Sequence, residues 1–301
     1  MLIASSGKHS MKPSFTLTAV ATALVSVAGW AAAAEQPSAV SIVLPPEPVA
    51  RSVTTKIDLL DDVRQGRMEY FINPTADIHD DPQHIFSFDP DGVLHISGRG
   101  YGGMTTIDGF KDYRLVIEFK WGDKTWGKRE KASRDNGILL HCRGPQGASG
   151  RTWMAGIEAQ IIEGGVGDIL VLSPRLADGS TLACSVTAEA AIDANEQPIW
   201  SPGSARRTIT AGRLNWQHRA ADWKDVKDFR GKDDVDSPCG EWTRFEILAR
   251  GNALEYFVNG VKVNEAIECN PREGRILLQT EAAEMFVRRY ELHPPGDGPE
   301  K

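Results

Sequence analysis

Between residues 55 and 293 the chain repeats one pattern: short alternating runs of apolar and polar residues, broken by Gly, Pro, Asp and Asn. A period of two marks strands that bury one face. The runs are "GVLHISG" (92–98), "YRLVIEFKW" (113–121), "NGILLHCRG" (136–144), "GIEAQII" (156–162) and "GDILVLS" (167–173). "TRFEILARG" (243–251), "ALEYFVNGVKVNEA" (253–266), "RILLQTE" (275–281) and "MFVRRYELH" (285–293) follow. No stretch keeps a 3.6-residue apolar period over the length of a helix. Asn259–Gly260, flanked by alternation, predicts a type I′ hairpin, because both central residues of that turn need positive φ. About ten short strands with turn signals between them predict an all-β sandwich. The less regular, charged stretch 174–241 reads as long loops around a few strands, and loops of that length usually serve function.

The composition narrows the partners. With 34 Lys and Arg against 41 Asp and Glu, the net charge is −7. No long basic run exists, which argues against nucleic acid. Lys8, His9 and Lys12 precede the 16-residue apolar run 15–30, and Ala32–Ala34 offer a small-x-small cleavage site before Glu35. A spanning helix needs about 20 apolar residues, so residues 1–34 are expected to be a cleaved signal peptide of a secreted or periplasmic protein. Residues 35–54 then form a Pro/Ala-rich linker, 55–293 the domain, and 294–301 a disordered tail. No later run is long enough to span a membrane. Cys142, Cys184, Cys239 and Cys269 match no zinc spacing; they leave three disulfide pairings open, or four free thiols.

Three consecutive strands each pair an apolar face with a polar one. Glu118 and Lys120 share a face, as do His141 and Arg143, and as do Glu158 and Gln160. A carboxylate inside a strand requires either a wet face or a partner. Asn136, at a strand start, is a candidate ligand or a turn residue; His218 and Glu281 are further candidates. Trp126, Trp153, Trp216 and Trp223 lie in loops or at strand ends, and aromatics beside carboxylates suit a carbohydrate. "GRGYGG" (98–103) reads as a turn rather than a phosphate loop. No HExxH or GxSxG motif occurs.

These segments in this order resemble the 3-keto-disaccharide hydrolase domain. The similarity is carried by "FDPDGVLHISGRGYGGMTTIDGFKDYRLVIEFKW", "DNGILLHCRG", "GIEAQIIEGG", "GEWTRFEILARGNALEYFVNGVKVNEA" and "GRILLQTEAAEMFVRRYELHP", over about residues 57–293. The family's usual "NSGI" is here "DNGI", and "YEVQILD" is "IEAQIIE", with Ile157 replacing Tyr and Glu163 replacing Asp. The resemblance implies a concanavalin-A-like jelly-roll of two antiparallel sheets with a concave, sugar-binding face. It also implies an exported enzyme that cleaves 3-keto-glycosides by C2 proton abstraction, C1 elimination and hydration. That chemistry needs a base, an enolate stabiliser and an acid.

Glu158 is the expected base or metal ligand, Glu118 the second carboxylate and His141 the electrophile or acid. Gln160, Asn136, His218 and Glu281 would bind substrate, with Lys120 and Arg143 neutralising the enolate. The residues name no definite cofactor; a divalent metal ion held by carboxylate and His could stabilise the enolate instead. Two alternatives remain at this stage: a two-carboxylate glycosidase, and a non-catalytic carbohydrate-binding module.

Overall fold

A computed structural model describes residues 46–296. The segment 1–34 expected to be a signal peptide, the first part of the expected linker and the last five residues lie outside the described residues. Two large antiparallel sheets carry the fold, the sandwich that the alternation predicts. The seven-stranded sheet runs in space through Gly212–Leu214, Ile169–Leu172, Ala155–Ile162, Asp135–Arg143, Arg275–Glu281, Tyr101–Thr106 and Met68–Ile72. The main path of the eleven-stranded sheet has Thr243–Arg250, Tyr113–Thr125 and Ala283–His293 as central neighbours.

The core lies between the sheets and is filled by alternate residues. Leu115, Ile117, Phe119 and Trp121 enter it from one sheet, and Ile157, Ala159 and Ile161 from the other. Full burial of one such large side chain stabilises the fold by about 1.5–3 kcal/mol. The Asn259–Gly260 turn joins Ala253–Val258 to Val261–Asn270, with φ of 48° and 82° at the two residues. Both values are positive, as the sequence requires of a type I′ turn.

The irregular middle holds four strands, among them Ser185–Ile192 and Gly212–Leu214. The only α-helices among the described residues are the short Leu59–Arg64 and Pro82–Ile85. No helix among the described residues is long and apolar enough to cross a membrane.

Three local readings change. Arg51–Ser52 pairs with Phe110–Lys111, and Val53 joins the core, so this end of the predicted linker is part of the fold. "GRGYGG" is only partly a turn, since Tyr101, Gly102 and Gly103 begin the strand Tyr101–Thr106. The third concerns "NGILLHCRG", whose alternation slips. Ile138 and Leu140 face the core while Leu139 faces away, but His141 has φ of 54° and the register shifts there. A bulge of this kind places two successive residues on one side. His141 therefore follows Leu140 inward, and Cys142 turns outward to join Leu139, Met154 and Leu277.

Candidate functional site

On the seven-stranded sheet, the face turned away from the core carries an acidic cluster. Glu158 and Gln160 project from Ala155–Ile162, Gln279 and Glu281 from Arg275–Glu281, and Asp135 from the start of the strand between them. The backbone of Gly137 lies beneath. A Cβ there would stand 2.3 Å from Glu158 Oε1 and 2.8 Å from Gln279 Oε1. A glycine at 137 is thus the space that the two side chains occupy. Gln279 Nε2 donates to Glu158 Oε1 at 2.9 Å, and Gln160 Nε2 donates to Asp135 Oδ1. The amide oxygens of Gln160 and Gln279 are buried without a hydrogen-bond partner among the described residues.

The cation of the cluster is Arg129, at the end of a single 3₁₀ turn, Gly127–Arg129. Its guanidinium contacts Asp135, Glu281 Oε1 at 3.3 Å and Asp225 Oδ1 at 3.2 Å. Burial opposes the charge on Arg129, but these three carboxylates outweigh it and raise the pKa. Burial is also the main influence on the acids. It pushes Glu158 up to about 8, with the Glu281 charge adding and the Gln279 hydrogen bond and Arg213 opposing. Asp135 is driven well above the carboxylate range by burial and by Glu281, against Arg129. Glu281 rises through burial, checked by Arg129. Glu158 is therefore largely a neutral acid at pH 7.

A cavity of about 610 Å³ opens beside this cluster, lined among others by Asn73, Asp77, Tyr101, Arg129, Asp225 and Glu281. That volume suits a small sugar derivative. Glu281 and Tyr101 are direct cross-strand partners, so carboxylate and phenol stand side by side on its wall. Burial and the Glu281 charge raise the Tyr101 pKa, which keeps the phenol a hydrogen-bond donor. Glu158 does not line the cavity; it is 4 % exposed, whereas the Glu281 side chain is 19 % exposed.

Of the residues singled out from the sequence, Glu158, Gln160 and Glu281 share this face. The others do not join them. Glu118 and Lys120 project from the outer face of the other sheet. There Glu118 accepts from Arg288 Nε at 2.6 Å, and Lys120 lies over the Trp242 and Phe286 rings at 5.0 and 5.3 Å. His141 points inward because of the bulge. Its Nδ1 donates to the Pro271 carbonyl at 3.1 Å, leaving Nε2 to accept from the Tyr113 hydroxyl at 3.1 Å. Burial lowers its pKa to about 4, which makes it a neutral core residue. Asn136 also turns inward, its Nδ2 3.7 Å from Met285 Sδ.

Arg143 lies at the far end of its strand, on the Ala183 carbonyl. His218 is exposed, edge-on to the core residue Trp216 at 5.9 Å. The expected Glu118–His141–Glu158 constellation therefore does not form. The four cysteines are free thiols.

Sequence reasoning missed Asp135, Gln279, Tyr101 and Arg129. Gln279 was within reach, since it precedes Glu281 by two in an alternating strand, and Asp135 begins the run that holds Gly137. Arg129 sits in a charged loop with no distinguishing pattern. Among the described residues no group of three or more His, Cys, Asp and Glu is placed to hold a metal. The Arg129 guanidinium already occupies the position between Asp135 and Glu281.

Among curated proteins none matches the chain. Several solved structures are distantly similar. A glycosyl hydrolase from Parabacteroides distasonis, described as putative, is 12% identical over 75% of this chain and 88% of its own, with a TM-score of 0.40. The Bacillus licheniformis β-glucanase is 7% identical over 79% and 97%, with a TM-score of 0.40. The carbohydrate-binding module CBM66 from Bacillus subtilis is 9% identical over 80% and 98%, with a TM-score of 0.37. At that distance they carry nothing about activity. The decisive match is to the family model described as the 3-keto-alpha-glucoside-1,2-lyase-like domain, which covers residues 67–293; the chain belongs to that family.

Proposed function

We propose that the protein cleaves glycosides oxidised at C3, by elimination across C1–C2, in the cavity where Glu281, Arg129 and Tyr101 meet. The observation that carries this reading is the partly exposed Glu281 carboxylate, ion-paired to Arg129 and beside a protonated phenol on the cavity wall. A ketone at C3 acidifies the C2 proton. Glu281 takes that proton, and the C–H electron pair passes into the enolate, whose oxygen the guanidinium and the phenol stabilise. The enolate then re-forms the ketone as a C1–C2 double bond forms and the C1–O bond breaks. The departing oxygen receives a proton from the now-protonated Glu281. Addition of water across the enone completes a net hydrolysis.

Glu281, rather than Glu158, is the base because it reaches the cavity. Burial also makes it a stronger base than an ordinary carboxylate. Glu158, neutral and tied to Gln279, supports the floor on which Glu281 stands. Glu281→Gln keeps the shape and removes the base. Turnover of a 3-keto-glucoside is expected to fall on the order of 10²–10⁴-fold, with the circular dichroism spectrum unchanged. Near-normal turnover by that variant would overturn the proposal. Undiminished binding of sugar without any turnover by the wild type would favour a binding module instead. We place this activity outside the cytoplasm on the strength of the signal-like residues 1–34. N-terminal sequencing of the mature protein, with Glu35 first, checks that placement.

A further inference from the structure

We infer that the segment 223–228, inside the long charged loop, is a built wall of this site, and that its Asp225 is a positioning residue for the Arg129–Glu281 pair. The inference rests on the reading of Glu281 as the base. The segment is fastened to the strand entrance that holds Asp135 from several directions. Trp223 Nε1 donates to the Glu163 carbonyl at 2.9 Å. Lys227 N donates to Lys131 O at 3.0 Å, and its Nζ to Asp123 O at 2.6 Å. Asp228 accepts from the buried Arg134 Nη1 at 2.7 Å, and its own N donates to Glu163 Oε2 at 3.2 Å. A loop that only covered the sheet would not need so many bonds to one short stretch.

Those anchors set the place of Asp225. Its Oδ1 accepts from Ser133 N at 3.0 Å and from Arg129 Nη1 at 3.2 Å, while Arg129 Nη2 is turned to Asp135 and Glu281. One carboxylate thus fixes the roll of the guanidinium, so that its other edge meets the base. Asp225 also lines the cavity, and its charge adds to the burial that makes Glu281 more basic. The groups that set the ionisation of Glu281 are Arg129 from the 3₁₀ turn, Arg213 from the edge strand and Asp225 from the loop. Asp135 and Glu158 are acids whose own ionisation Glu281 disfavours, and Tyr101 is its cross-strand neighbour.

The test is the pH profile of kcat/KM for wild type, Asp225→Asn, Asp225→Ala and Glu281→Gln on a 3-keto-glucoside. Asp225→Asn keeps an acceptor for Ser133 N and removes the charge. Its acid limb is expected to move to lower pH, with kcat reduced up to about fivefold, the rate equivalent of a partly exposed ion pair. Asp225→Ala should lower kcat further, as the guanidinium loses its fixed roll. A merely structural Asp225 would change Tm and leave the acid limb in place. An unmoved acid limb and unchanged kcat in both Asp225 variants, with Glu281→Gln inactive, would overturn the inference and leave the base assignment standing. An active Glu281→Gln would instead sink the base assignment itself.

Discussion

The outward faces of the two sheets carry the same kind of residue and end in opposite states. On the eleven-stranded sheet, Glu118 accepts from Arg288 Nε, and Arg244 and Arg289 approach it at 3.8 and 3.7 Å. The Arg288 side chain is 46 % exposed, so water and salt weaken that network. On the seven-stranded sheet, Asp135, Glu158, Gln160 and Gln279 are buried, and the pKa values of the two carboxyls climb. Alternation selects which face a side chain takes. Whether that face is then covered depends on segments distant in sequence, and coverage is what turns an ordinary carboxylate into a chemically useful one.

The largest effect that sharpens this contrast comes from Glu158. Its proton is held more tightly in the folded protein than in the unfolded chain, since its pKa is raised from 4.5 to about 8. Folding stability is therefore full below the lower value, declines as pH rises between the two, and is lowest above the upper one. Glu158→Gln should remove that slope and gain on the order of a few kcal/mol over wild type at alkaline pH. Urea melts at several pH values would show it, and an unchanged slope would mean that the sheet face is wet.

A smaller effect follows from Gly137→Ala. The added methyl would displace Glu158 and Gln279, at a cost of about 1–3 kcal/mol, read as a lower Tm. The smallest effect belongs to the open face. Glu118→Gln should cost under about 1 kcal/mol and leave turnover within twofold; a large loss of activity would break the comparison outright.

Much of this was legible in the residues. The Asn259–Gly260 turn, the inward set Leu115–Ile117–Phe119 and the outward pair Glu158–Gln160 all follow from a period of two. The period failed at His141, where one residue of bulge reversed the phase and nothing in "LLHCRG" marks the slip. Glu118 was placed on the correct face of its strand, yet strand pattern cannot say to which sheet that strand belongs. Arg129 and Asp225 were illegible for a different reason. Both lie in loops, where no periodicity constrains direction and only tertiary contact gives them a role.

The cation that balances the buried acids is mounted on a single 3₁₀ turn, between the exposed Lys128 and Glu130. Neutralising those carboxyls can be done either by Arg129 or by protons, and the two compete for the same oxygens. Each proton bound weakens the electrostatic hold on Arg129, and the Arg129 charge in turn disfavours protons on Asp135 and Glu281. The pairing of Arg129 and the ionisation of Asp135 and Glu281 are therefore thermodynamically linked, and acid that neutralises the carboxyls removes the charge partners of this corner.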